Sequence, residues 1–138
     1  TSPLIHPEEI REFTLKMVNN NYETMVSVVN HQIACLYNNK PINFKLLEPH
    51  ISSQEMNPVS SYATVLMGWK YKTFKESINT FGFAYHGSNT KIGYFNISGL
   101  STIDIDNEED FELAEAAIKF LNEKNIELKK PKYYGKTN

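Results

Sequence analysis

A chain of 138 residues with 14 basic and 16 acidic side chains carries a formal net charge of −2, which indicates neither a nucleic-acid nor an anionic-membrane partner. The length fits a single domain, residues 1–138, large enough for a real core; no apolar run approaches the ~20 residues of a membrane span, and no signal-peptide pattern opens the chain. The one cysteine, Cys35, excludes an internal disulfide and a cysteine zinc cluster, and beside Ile33, Ala34 and Leu36 it is expected as a buried thiol in a reducing cytoplasm.

Thr1-Ser2-Pro3-Leu4 has the character of a strand end running into a turn, so the chain is expected to be a fragment that begins inside an element. Pro7-Glu8-Glu9 marks a helix start, with proline in the first turn and two acids at the positive end of the dipole. Ile10, Phe13, Met17 and Val18 then recur at helical spacing, and Asn19-Asn20-Asn21 ends the helix. The β-branched run at residues 23–30 predicts a strand, and helix followed by strand is half of a βαβ unit whose first strand would precede Thr1.

Asn38-Asn39-Lys40-Pro41 predicts a turn between short segments at 33–37 and 42–46. Residues 48–61, with Pro49 and Pro58, predict an ordered loop, and residues 62–69 are apolar enough for a central strand. Thr73 to Glu76 has the form of a capping box opening a helix that ends near Phe81. A loop at 82–89 and a strand at 93–97 follow. Phe81, Phe83, Tyr94 and Phe95 form an aromatic set expected to pack in the core.

Residues 101–106 predict a short strand in which Asp104 and Asp106 project to one face while Ile103 and Ile105 point inward. A helix then carries Phe111, Ala114, Ala117, Ile118 and Leu121 on one face and ends at Lys124 and Asn125. Residues 129–135 predict an exposed basic tail. Alternating helices and strands argue for an α/β fold with a mostly parallel sheet.

Two meanings of the aspartates are open at this point. Paired carboxylates at a strand end suit a hard divalent cation and phosphate chemistry. Alternatively, Asp106 or Asn107 caps the long helix with Glu109 or Asp110, leaving Asp104 at the surface. His6, His31, His50 and His86 share no metal-ligand spacing, Ser2, Ser27 and Ser98 lack a nucleophile-elbow context, and the six glycines form no phosphate-cradling loop.

Taken in order, Thr1-Ser2-Pro3-Leu4, the helix and Val-Ser-Val-Val strand, and Thr102 to Asp106 with Glu109 to Glu115 resemble the acylneuraminate cytidylyltransferases (CMP-sialic acid synthetases) over nearly the whole chain, with the two ends matching most tightly. The resemblance implies a nucleotide-diphospho-sugar transferase fold, a Rossmann-like, mostly parallel sheet, present here only in its C-terminal portion. It implies an enzyme that joins an acidic nine-carbon sugar to CMP from CTP and releases pyrophosphate. Asp104 and Asp106 match the paired aspartates that bind magnesium. Thr1 and Ser2 would border the cleft, Gln54 would contact the sugar, and Phe81 and Phe83 would lie against its acyl group. A stretch at about residues 32–87 would include an excursion that forms a homodimer.

Several features depart from the family pattern. The basic, glycine-rich cytidine loop would lie ahead of Thr1, so the chain alone is expected to be inactive. The expected Arg-Gln pair is Ser53-Gln54, the Asn-Gly-Ala stretch is absent around residues 62–66, and Arg11 is the sole arginine. The cation for the sugar's carboxylate then falls to Lys91 or Lys70. The alternatives are a non-catalytic assembly module of the same fold, or a cytidylyltransferase for another acidic sugar.

Overall fold

The computed structural model describes residues 2–86 and 91–124. Helix α1 (Pro7–Asn19) opens with His6 as its N-cap: the His6 ring accepts from Glu8 N–H, and the Glu9 carboxylate accepts from His6 N–H at 2.9 Å. Strand β1 (Thr24–His31) follows, and then a two-stranded hairpin of β2 (Leu36–Tyr37) and β3 (Lys40–Pro41). Its two turn residues, Asn38 and Asn39, both have positive φ, as a two-residue hairpin turn requires and as asparagine tolerates. A 3-10 turn (Ser53–Glu55), strand β4 (Val59–Trp69), helix α2 (Tyr71–Phe81), strand β5 (Ile92–Asn96), a second 3-10 turn (Gly99–Thr102) and helix α3 (Glu108–Glu123) complete the described elements.

The larger sheet has the order β4-β1-β5. Strand β1 runs antiparallel to β4 and parallel to β5, so the sheet is mixed rather than mostly parallel. The long excursion between β1 and β4 lets the chain turn back as an antiparallel partner. Among the described residues β4 is an edge strand, and β1 is the central one. Residues 24–28 are buried without a break, the pattern of a strand covered on both faces.

On one face, Phe13 of α1 packs edge-on to Phe95 at 5.6 Å and joins Met25 and Ile97 in the core, with Met17 and Tyr22 against them. Ile10 and Val18, expected in that stripe, remain on the surface. Tyr22 presses so closely on Gly93 that a Cβ there would lie 2.5 Å from its ring. A second cluster joins Leu4 to Ala117 and Leu121 of α3, with Ile103 and Ile118 beside them. It pins the opening turn of the chain against the last helix.

Other expectations need correction. Residues 103–106 form no strand among the described residues; they link the 3-10 turn to α3. Thr73 caps nothing. Helix α2 already begins at Tyr71, with Lys70 as an N-cap that makes no side-chain capping bond. Cys35 is only partly buried, because its apolar neighbours Ile33 and Leu36 face solvent on the excursion. The aromatic set divides: Phe95 is in the core, whereas Phe81, Phe83 and Tyr94 are exposed. Thr1 and residues 129–135 lie outside the described residues. No described helix is long and apolar enough to cross a membrane.

Candidate functional site

Three separate segments meet around Asp104. Leu4, anchored on α3, holds the opening turn in place, and Ser2 Oγ donates to Asp104 Oδ1 at 3.0 Å across a sequence separation of 102 residues. From β4, Thr64 Oγ1 lies 3.5 Å from Asp104 Oδ2. The same hydroxyl is 2.8 Å from the Ala63 carbonyl. It has one proton to give, so its contact with Asp104 is the weaker of the two.

Thr64 reaches this position through an unusual backbone. The pairing of β1 with β4 changes register between Val26↔Met67 and Val28↔Tyr62, so residues 63–66 bulge opposite the single residue Ser27. Within the bulge Thr64 has φ +57, a strained value for a β-branched side chain that costs about 1–3 kcal/mol. Ser27, fully buried, stabilises the bulge: its Oγ accepts the Leu66 N–H at 2.9 Å. Nothing in the alternation of residues 62–69 signals this bulge, and Thr64 is the site residue that sequence reasoning missed.

The carboxyl of Asp104 is held below the usual carboxylate range. The first cause is a hydrogen bond from the chain's terminal ammonium group. Burial acts in the opposite sense, and the Ser2 and Thr64 hydroxyls add to the lowering. With any residue ahead of Thr1, that ammonium is replaced by a neutral peptide and its share of the lowering is lost.

Asp106 is exposed, and its backbone N–H donates to Asp110 Oδ2 at 3.0 Å. The cap of α3 itself is made by Asn107 and Asp110, which exchange side-chain and backbone bonds of 3.1 and 3.2 Å. The capping alternative therefore holds for Asn107 and Asp110, and it leaves the side chain of Asp106 outside the cap.

The remaining candidates lie elsewhere. Gln54 sits in the first 3-10 turn, its carbonyl accepting from Gln32 Nε2 at 2.8 Å. Phe81 and Phe83 pair with each other on the surface, ring centroids 6.2 Å apart. Lys91 donates to the Asn20 carbonyl at 2.6 Å and lies over the Tyr22 ring, while Lys70 donates to Asn21. Both lysines are at the end of the sheet where β5 begins, whereas Asp104 contacts Thr64 in the bulge opposite Ser27, which pairs with Phe95 near the other end of β5. The fold thus brings together Ser2, Thr64 and Asp104, and does not bring Lys91 to them.

Two further surface features were not legible in the sequence. Tyr62 of β4 stands among Tyr85, His86 and Tyr94, with centroids 6.3, 5.6 and 6.4 Å from its own. Burial, followed by the neighbouring Tyr94, pushes the Tyr62 phenol up. A cavity of about 480 Å³ lies within the excursion, lined by residues including Phe44, His50, Ile51 and Met56, away from both aspartates.

Among the described residues, no group of three or more His, Cys, Asp or Glu side chains could hold a metal ion. A magnesium ion that takes most of its ligands from water and a substrate's phosphates needs only one or two carboxylates. The hard oxygen donors of Asp104 and Asp106 fit that smaller share and do not make a metal site by themselves. Compared with known proteins, the chain matches no family model and no curated protein.

Proposed function

We propose that this chain is the C-terminal, sugar-side portion of a cytoplasmic cytidylyltransferase of the nucleotide-diphospho-sugar transferase fold, which activates an acidic nine-carbon sugar as its CMP derivative. One observation carries the reading: the Ser2–Asp104 bond at 3.0 Å joins the two segments on which the family resemblance rests. Two otherwise unrelated stretches of sequence thereby become one site. It lies towards the C-terminal end of β5, where Thr64 stands opposite Ser27 and Ser27 pairs with Phe95, on the side where α/β sheets receive ligands.

Asp104 and Asp106 are the residues that would hold magnesium, which when bound neutralises phosphate charge as the sugar hydroxyl attacks. The chain's own contribution is positional. Leu4 fixes the opening turn, and the hydroxyls of Ser2 and Thr64 orient the Asp104 carboxylate. A preoriented anion loses less freedom when substrate binds. The lone half-buried Cys35 accords with a reducing compartment.

The test is product formation from CTP, magnesium and an acidic nine-carbon sugar. The longest natural form of the protein turns over, and the 138-residue chain alone does not. Full activity of the isolated chain, or none in the longest form with any acidic sugar, contradicts the reading.

A second reading, a non-catalytic assembly module, is favoured by the apolar excursion: Leu36, Tyr37, Leu46 and Leu47 are all exposed. Such a module would survive loss of both aspartates with its assembly and cellular role intact.

A further inference from the structure

The carboxylate of Glu9 makes two bonds of different reach. Its Oε2 accepts the His6 N–H at 2.9 Å, which closes the cap of α1, and accepts the Ser101 hydroxyl at 2.5 Å across a sequence separation of 92 residues. Both bonds are partly buried. A cap needs only the first. The second leaves the helix for the 3-10 turn Gly99–Thr102, and Ser101 stands three residues ahead of Asp104. A carboxylate oxygen can accept twice, and its charge strengthens each bond. One atom thus ties the opening turn to the segment that carries the aspartate.

This tie is one of three between the same two stretches. Ser101 bonds to Glu9, Ile103 packs against the Leu4 cluster, and Asp104 accepts from Ser2. From Ser101 to Asp104 the partners retreat from Glu9 through Leu4 to Ser2, so the stretches lie side by side in opposite senses. The middle tie is apolar and has no preferred direction; it holds the stretches together without fixing their register. The Ser2–Asp104 bond belongs to the site itself. The directional contact outside the site is the one that Glu9 makes.

We propose that Glu9 is a positioning residue for the Asp104 site: by gripping the His6 amide and the Ser101 hydroxyl with one oxygen, it braces the Ser2–Asp104 contact. The inference rests on the cytidylyltransferase reading for what Asp104 does, and on the three ties alone for how Asp104 is held.

Two readouts on the longest natural form test these halves separately: hydrogen exchange of single amides, and turnover across a magnesium series. Ser101→Ala removes the long-range bond and leaves the α1 cap in place. Glu9→Ala removes both bonds, and Glu9→Gln keeps an oxygen able to accept both. The Ile5 and Ile103 amides donate to the Ser2 and Leu100 carbonyls. They are expected to exchange about tenfold faster in Ser101→Ala and Glu9→Ala, the scale of one lost hydrogen bond, and at the unsubstituted rate in Glu9→Gln. The magnesium concentration for half-maximal turnover is expected to rise on the order of tenfold in the same two variants, as when a group that orients a metal ligand is lost, and to be kept in Glu9→Gln. Glu8→Gln, which alters a neighbouring carboxylate paired with Arg11 at the surface, is expected to change neither readout. Unchanged exchange in Ser101→Ala, exchange as fast in Glu9→Gln as in Glu9→Ala, an effect of Glu8→Gln, or faster exchange with an unmoved magnesium requirement would each overturn the inference. If the unsubstituted protein turns nothing over, the cytidylyltransferase reading fails, and faster exchange then still supports Glu9 as the brace of the Ser2–Asp104 contact.

Discussion

Thr64 shows what a single residue can conceal. Its side chain belongs to any strand by propensity, yet its backbone occupies the left-handed region, where glycine is at ease and a β-branched residue is strained. Thr64→Gly is therefore expected to be neutral or to stabilise the fold by up to about 1 kcal/mol in urea unfolding. An ordinary strand position would instead lose about 1 kcal/mol, and that result would place Thr64 in a relaxed backbone. Tyr62 makes a prediction in pH. Its folded phenol titrates above the ordinary value of 10.0, so folding favours the protonated ring. The stabilisation is complete below pH 10.0 and is lost as pH rises through the folded value. Phenolate absorbance should show one late-titrating tyrosine that disappears in Tyr62→Phe; titration of all tyrosines with the unfolded chain would contradict this.

The elements differ in how openly the sequence declares them. The start of α1, the β-branched run of β1 and the apolar face of α3 each follow from a local pattern with one dominant period, and all three form where that pattern places them, except that Phe111, expected on the α3 face, is exposed. The segment at 103–106 misleads for an equally physical reason. Isoleucine alternating with aspartate has the two-residue period of a strand, but here Ile103 serves the packing of Leu4 and α3 instead. Helix α2 misleads through its inverted polarity, since a capping-box pattern at Thr73 falls inside the helix.

Two substitutions probe these elements. Asn107→Ala should cost about 1 kcal/mol through loss of the α3 cap, read by thermal unfolding; no change would mean that the cap is dispensable. Gly93→Ala should cost about 1–3 kcal/mol, because its methyl would collide with the Tyr22 ring. Tolerance would mean that Tyr22 moves aside freely.

At the scale of the whole molecule, the α/β class follows from the alternation of elements, while the mixed sheet does not. Strand direction is decided by the excursion between His31 and Val59, whose path no local period encodes. The site follows the same division. Asp104 and Asp106 stand out in sequence as a carboxylate pair, and Ser2 stands out within its turn, but Thr64 joins them only through the bulge opposite Ser27. Lys91 is the converse case: its charge suggests a partner for an acidic ligand, and the fold uses it instead against Asn20 and Tyr22 at the other end of the sheet.

The central claim is that Asp104, held by Ser2 and seconded by Asp106, serves phosphate chemistry. Its most direct test is turnover of CTP into a CMP-sugar by the longest natural form carrying Asp104→Asn and Asp106→Asn, two isosteric changes that remove charge and little else. The account predicts a fall in turnover of at least about a hundredfold, the scale on which electrostatic stabilisation of phosphoryl transfer operates, with the unfolding temperature nearly unchanged. Turnover equal to that of the unsubstituted protein would contradict it.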